Sequence, residues 1–270
     1  MMTRFTSLLI RIILMVAAAS AHADPPQVDS PKTDDPAAAD KSSESSAYTP
    51  EGFVALFEGT SLDGWELRDL ANRDWRIIDG LIDCDPHDGG GDRNLWTTKS
   101  FDDFELLVDW RISQAPYFNK AAKVILPDGT YKRDSDDKEV VVKVPNVDSG
   151  VFLRGKHKSQ LNIWCWTVGS GEVWGYRTDR SLTPEVRAGV TPSICADRPV
   201  GEWNTFHIIL KGDSLTLLLN GESVLDHAQL PGIPQKGPLA LQHHGERKDG
   251  QWGASFVQFH RIYNQGATAY

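Results

Sequence analysis

Beyond residue 53 the chain repeats one pattern: short runs in which alternate residues are apolar, cut at close intervals by Gly, Pro, Asn and Asp. In residues 104–112 (FELLVDWRI), Phe104, Leu106, Val108, Trp110 and Ile112 alternate with mostly more polar neighbours. A period of two is the pattern of a strand with one buried face. Residues 204–210 and 215–219 form another such pair, joined across Lys211-Gly212-Asp213-Ser214. Asn220-Gly221 then leads into residues 223–225, and that dipeptide favours a type I′ hairpin turn. Further runs lie at 239–242 and 256–263, and nowhere past residue 23 is a helical period sustained for three turns. The pattern predicts an all-β fold, an antiparallel β-sandwich.

Two stretches depart from it. Residues 114–147 hold Pro116, Pro127-Asp128-Gly129 and a charge-rich segment from Lys132 to Glu139, flanked by apolar 124–126 and 140–142, which predicts a protruding hairpin. In residues 182–199 the pairs Thr183-Pro184, Thr191-Pro192 and Arg198-Pro199 discourage regular structure. Long irregular segments on a β scaffold are where sites are commonly built.

Ahead of this domain, residues 1–23 read as a secretory signal. Arg4 and Arg11 precede or flank a short apolar run at 12–19, and Ala21-His22-Ala23 supplies small residues for cleavage near Ala23. Arg11 interrupts the run well short of the ~20 apolar residues that a membrane span needs. Residues 24–49, rich in Pro, Ala, Ser and Asp, read as a disordered linker, because they cannot bury enough apolar surface to offset their ordering entropy. The domain is then residues 50–266 of an exported, periplasmic or secreted, protein with no membrane span in its mature form. Of the formal net charge of −9, the domain keeps −7, without a clustered basic face, which argues against a nucleic-acid partner and for a neutral ligand. Three cysteines, Cys84, Cys165 and Cys195, lack a zinc-ribbon spacing and leave buried free thiols or a single bridge.

Several motifs follow one another along the domain. Gly52-Phe53-Val54-Ala55-Leu56-Phe57 runs into Leu62-Asp63-Gly64-Trp65; Trp75-Arg76-Ile77-Ile78-Asp79-Gly80 and Phe101-Asp102-Asp103-Phe104-Glu105-Leu106 come next. Then come Asp148-Ser149-Gly150-Val151-Phe152-Leu153-Arg154-Gly155, Gly201-Glu202-Trp203-Asn204-Thr205-Phe206 and Leu241-Gln242-His243-His244-Gly245. In this order they resemble the 3-keto-disaccharide hydrolase family over about residues 49–264, with an insertion at the hairpin. The resemblance implies a jelly-roll sandwich of the concanavalin A-like lectin/glucanase type. It also implies cleavage of 3-keto-glycosides, with proton abstraction at C2 and elimination at C1. Two positions depart from the family pattern. Asp148 stands where the family has Asn, and Gln160-Leu161-Asn162-Ile163 replaces a Glu-Val-Gln-Ile strand. If that Glu is the family's base, Asp148 or Glu172 are the candidates to replace it.

Elimination beside a ketone needs one base near the C2 hydrogen and donors, or a divalent metal, at the carbonyl oxygen. The motifs require no cofactor and name no metal ligand set. The candidate catalytic residues are Asp148 as base or orienting group, Arg154 as donor to the enolate oxygen, and His244 as acid, base or metal ligand. Each has a structural counterpart: a turn Asp, a strand salt bridge, a hydrogen-bonded histidine. Gln160, Asn162, Trp164 and Trp166 share one strand face, where amides bond hydroxyls and indoles stack on a pyranose. Trp174, Tyr176 and Arg177 extend that platform through the Gly169-Ser170-Gly171-Glu172 turn, whose Glu172 joins the substrate-binding set, and Gln242 shares the face of His244. His243 takes the opposite face and belongs to the substrate-binding set only through its place in the motif. Trp65, Trp75, Trp110 and Trp203 read as core.

The partner is thus a saccharide. A non-catalytic carbohydrate-binding module on the same sandwich is the alternative. An ordinary endo-glycanase needs a close carboxylate pair on one strand, which the sequence lacks. Asp83, Asp85, Asp88 and Asp92 do not continue as a calcium loop, Gly89-Gly90-Gly91 lacks the Lys of a phosphate cradle, and no nucleophile elbow occurs.

Overall fold

The structure, a computed structural model, describes residues 49–68, 74–84, 92–248, 251–253 and 256–269. The signal and linker segments, and Asp85, Asp88 and Gly89–Gly91 of the acidic loop, lie outside the described residues. Strands dominate: β1 (Val54–Phe57), β2 (Trp65–Leu67), β3 (Trp75–Ile78), β4 (Leu81–Cys84), β5 (Leu95–Ile112), β6 (Phe118–Lys123), β7 (Val141–Pro145) and β8 (Asp148–Phe152). They continue as β9 (Gln160–Trp164), β10 (Asn204–Lys211), β11 (Ser214–Leu219), β12 (Glu222–Gln229), β13 (Gly237–Leu241), β14 (Glu246–Lys248), β15 (Gln251–Gly253) and β16 (Val257–Ala269). Between β9 and β10 stand two short helices, α1 (Trp174–Arg177) and α2 (Pro184–Gly189).

All the strand pairings are antiparallel. The 18-residue β5 is the spine of the sandwich. Its second half pairs with β10 on one edge and β16 on the other, and its first half pairs with β13 and β2. The main path runs β12-β11-β10-β5-β13-β8-β9, so the motif strands β13, β8 and β9 lie side by side at one end. The alternation of residues 104–112 does what period two requires: Phe104, Leu106, Val108, Trp110 and Ile112 are all buried, against Phe206, Ile208, Leu217 and Phe259 among others. Asn220 and Gly221 have φ of 56° and 88°, the paired positive φ of a type I′ turn.

The insertion forms a separate two-stranded sheet, β6 with β7, with Phe118 opposite Pro145; its first strand lies ahead of the apolar 124–126 expected to supply it, and Ile125 instead bridges to Tyr131 within the turn. Thr183-Pro184 does not simply break structure. Thr183 caps α2, its hydroxyl accepting from the Val186 N–H, and Pro184 fills the first turn, where its missing N–H costs nothing. Among the described residues no helix is long and apolar enough to cross a membrane. The cysteines carry no bridge: Cys84 is buried, Cys165 half-buried and Cys195 exposed, so only one of the three fits a buried thiol. Trp65, Trp75 and Trp110 are core residues, whereas Trp203 is half-exposed under the Arg111 guanidinium. Asp83 and Asp92 are engaged in structural bonds, with Arg76 and Gln258 for the first and Asn94 and Trp96 for the second.

Candidate functional site

A cavity of about 450 Å³ opens over the β13-β8-β9 end of the sheet. Its floor comes from three adjacent strands. Asp148 begins β8 and lies opposite Trp164 in register; Gln160, Asn162 and Trp164 alternate along β9; Gln242 and His244 follow β13. One wall is Asn119 of the inserted hairpin with Asn146 and Val147; another is His157, Trp174 and Gly175. The lining is neutral apart from Asp148 and the histidines.

Asp148 and His244 meet. His244 Nδ1 lies 2.7 Å from Asp148 Oδ2, with side chains 48% and 36% exposed, open enough to reach a ligand. A histidine bonded to a carboxylate through Nδ1 keeps Nε2 as the ring's proton acceptor. Alternation continues past the end of β13, so Gln242 and His244 face the cavity and His243 points the other way, only 3% exposed. There its Nε2 lies 2.8 Å from Asp74 Oδ2, and Arg93 holds the same carboxylate oxygen at 2.6 Å. His243 therefore contacts no ligand; the motif placed it in the set, and the strand's pleat removes it.

The backbone N–H of Gly245 donates to His243 Nδ1 at 3.2 Å, which fixes the neutral tautomer. Burial pushes the His243 pKa down to about 4, against the pull of Asp74. At and above pH 7 the ring is neutral in both folded and unfolded chains. As pH falls from about 6.5 toward 4 the unfolded chain takes up a proton that the folded one refuses, so stability drops by as much as ~3 kcal/mol. Urea unfolding at pH 7 and pH 4.5 is expected to show a steeper loss for the wild type than for His243→Gln; equal slopes would exclude His243 as the cause.

The amides form a ladder. Gln160 Nε2 donates to Asn162 Oδ1 at 2.9 Å and to Gln242 Oε1 at 2.6 Å, and approaches the Ser149 carbonyl at 3.3 Å. Gly150 makes room for this: a Cβ there would sit 2.4 Å from the Leu161 carbonyl oxygen and 2.7 Å from Gln160 Nε2. Asn162 Nδ2 then donates to Glu172 Oε2 at 3.0 Å, and Arg177 Nε donates to Glu172 Oε1. Glu172, Arg177 and Tyr176 lie behind the cavity wall, almost wholly buried, and not on the sugar platform. The reason is local: α1 is a single turn of four residues, so Trp174 faces out and Tyr176 and Arg177 face in. Burial pushes the Glu172 carboxyl up while Arg177 and Asn162 pull it back, and its lack of exposure excludes it as a base acting on a ligand.

The indoles divide too. Trp164 and Trp166 stack on each other, centroids 4.6 Å apart and 8° between planes, and the Trp164 N–H is spent on the Gly169 carbonyl. They touch the cavity, but Ile125 and Tyr131 of the insertion pack on them. Trp174, 55% exposed, is the open indole.

Arg154 is not in the cavity. Its side chain is fully buried, donating to the carbonyls of Asp102, Gly212 and Pro234 and to Asp103 Oδ1. The expectation of a donor to an enolate oxygen is corrected: the guanidinium ties strand β5 to the segments around Gly212 and Pro234, away from the cavity. Conversely, Asn119, Asn146, Val147, His157 and Gly175 were not singled out from sequence. Asn146-Val147 directly precede Asp148, which is a usable signal; Asn119 and His157 carry none. Asp148 and His244 offer two metal donors, and among the described residues no group of three or more His, Cys, Asp or Glu is placed to hold a metal ion.

The sequence model of the 3-keto-alpha-glucoside-1,2-lyase-like domain matches residues 52–263. The chain belongs to this family. No curated protein matches the sequence. Among solved structures, a candidate glycosyl hydrolase from Parabacteroides distasonis is 19% identical, covers 80% of this chain and 84% of its own, and superposes with a TM-score of 0.51. At that identity the likeness shows the fold, an antiparallel β-sandwich. A second candidate glycosyl hydrolase from the same organism is 18% identical (80% and 94% covered, TM-score 0.49). A carbohydrate-binding module from Bacillus subtilis is 13% identical (75% and 96% covered, TM-score 0.41). The family places the chain among carbohydrate-active proteins.

Proposed function

We propose that the cavity takes a 3-keto-glycoside and that Asp148 and His244 together drive its cleavage by elimination. The observation that carries this reading is the 2.7 Å contact of Asp148 with His244 inside a cavity otherwise lined by amides and indoles. Asp148 holds His244 with its proton on Nδ1, and His244 Nε2 takes the hydrogen from C2, which the neighbouring ketone has acidified. The C–H electron pair passes into the enolate at C2 and C3. As the C3 carbonyl re-forms, the C1–C2 double bond is made and the C1–O bond breaks toward the aglycone. The leaving oxygen accepts the proton from His244, and water then adds across C1 and C2 to give the free 3-keto sugar. Asp148 is thus the orienting group and His244 the base. Incubation with a 3-keto-glucoside, followed by release of the aglycone, tests the reading; no release by the wild type would sink it.

A second reading, sugar binding without turnover, is supported by Gln160, which stands where the family pattern has Glu. Binding of the keto-sugar with no product would select it. Under either reading Trp174 is the stacking surface. Because it is exposed, Trp174→Ala is expected to weaken sugar binding about tenfold, ~1.4 kcal/mol, while leaving the melting temperature unchanged. Titration calorimetry beside thermal unfolding checks both halves of that statement. The signal-like residues 1–23 support export, and N-terminal sequencing of the mature protein is expected to begin at Asp24.

A further inference from the structure

The buried Arg177–Glu172 pair touches the cavity's amide ladder from behind the wall. Arg177 can only donate hydrogen bonds, and an ionised Glu172 can only accept them. Glu172 Oε1 serves Arg177, so Oε2 must accept from Asn162, which fixes Nδ2 of Asn162 on that side. Asn162 Oδ1 then faces Gln160 and can only accept, so Gln160 must present Nε2. The Ser149 carbonyl, also acceptor-only, approaches the same nitrogen and agrees with that assignment. Gln160 Nε2 in turn requires Gln242 to turn Oε1 toward it. Each link dictates the next.

We propose that Arg177–Glu172 is a positioning pair that sets the donor and acceptor polarity of the Asn162-Gln160-Gln242 ladder, so that Gln242 presents its NH₂ group to the cavity as a donor for a sugar oxygen. This rests on the sugar-binding reading for its ligand, but not for its polarity argument. The mouth of the ladder is open: Gln160, Asn162 and Gln242 all line the cavity. A donor held there suits a carbonyl or enolate oxygen better than it suits a carboxylate-binding or cation-binding role, because the ladder offers no net charge.

Glu172→Gln breaks the rule with little change in shape. The substituted side chain has one oxygen for two neighbours that both present donors. Arg177, being charged, keeps that oxygen, and the new NH₂ is turned on Asn162. Asn162 must then flip, and its NH₂ meets Gln160 Nε2. Adding Asn162→Asp in the same chain restores the order, since a carboxylate at that position accepts from the new amide on one side and from Gln160 on the other. Ligand-free NMR of the side-chain amides reads this directly. The Gln160 NH₂ resonances are expected to be protected from solvent exchange in the wild type, to shift and lose protection in Glu172→Gln, and to return in Asn162→Asp/Glu172→Gln. Gln160 resonances unmoved by Glu172→Gln in a folded protein would overturn the proposal.

The second arm is calorimetric binding of a 3-keto-glucoside. Affinity is expected to fall about tenfold or more in Glu172→Gln and to recover in the double variant. Gln242→Glu, which keeps the acceptor for Gln160 but removes the NH₂ from a half-exposed site, tests the donor end of the ladder whether or not Glu172→Gln folds. Wild-type affinity in Gln242→Glu would overturn the proposal. If the amide spectra behave as expected but the wild type binds no keto-sugar, the ladder's polarity stands and the sugar reading fails.

Discussion

Asp148→Asn is expected to lower turnover of a 3-keto-glucoside by ~10²–10⁴-fold, the usual contribution of a positioned acid–base group. The substitution keeps the volume and the strand position of the side chain, so Trp164 and the β8-β9 register are undisturbed. What it removes is the charge. An Asn amide facing His244 Nδ1 can offer NH₂ as readily as oxygen, and NH₂ there selects the tautomer with the proton on Nε2. That tautomer cannot take a proton from C2. It also leaves the imidazolium formed during the reaction without its counter-charge. The loss should fall mainly on kcat, because the proposed sugar contacts of Gln160, Asn162, Gln242 and Trp174 are left in place. His244→Ala is expected to lose at least as much, and the double variant little more than either, since residues acting as a unit are not additive. Steady-state kinetics of the three variants decide the matter. Turnover within a few-fold of wild type in Asp148→Asn would remove the dyad from the mechanism.

Arg154→Ala is expected to destabilise the fold by roughly 3–5 kcal/mol. The Arg154 guanidinium is fully buried and donates to three backbone carbonyls and one carboxylate that lie 51 to 80 residues away in sequence. Removing it takes the shared partner from those three carbonyls at a half-buried junction. Arg154 also holds a left-handed backbone, with φ of 49°, a conformation that costs about 1–3 kcal/mol and persists only where surrounding contacts impose it. Ala relieves none of that strain while losing every contact that imposes it. For a domain of this size the loss corresponds to a fall in melting temperature of roughly 10 °C. Lys is not expected to rescue it, because an ammonium cannot reproduce a planar fork reaching four acceptors. Thermal unfolding and activity per folded molecule separate a scaffold role from a chemical one for this residue. An unaltered melting temperature with lost turnover would return Arg154 to the chemistry.

Arg154 and His244 mark the boundary between what could be read along the chain and what could not. Both stand in motifs of the family, and both are polar residues of types that do chemistry. The strand pleat separated His244 from His243 without any structure, because successive side chains take opposite faces and His244 shares that of Gln242. The same rule grouped Gln160, Asn162 and Trp164, and the turn dipeptide Asn220-Gly221 fixed a hairpin through the φ values it permits. Arg154 has no such local rule. Whether a buried guanidinium is spent on the scaffold depends on carbonyls from Asp102, Gly212 and Pro234, which no sequence window contains.

By itself, then, the sequence determined an antiparallel sandwich and the face of β9 that carries amides, since each follows from a period of two, whereas in the insertion it marked the place but not which residues pair. Only the tertiary structure decided that α1 turns Trp174 outward while burying Tyr176 and Arg177, and that Glu172 closes on Arg177 behind the wall. It alone brought Asp148 and His244, nearly a hundred residues apart, to within 2.7 Å. Periodicity specifies which side of a strand a residue takes. What stands opposite that side is set by packing between strands distant in the chain, where burial of charge and satisfaction of donors are settled together.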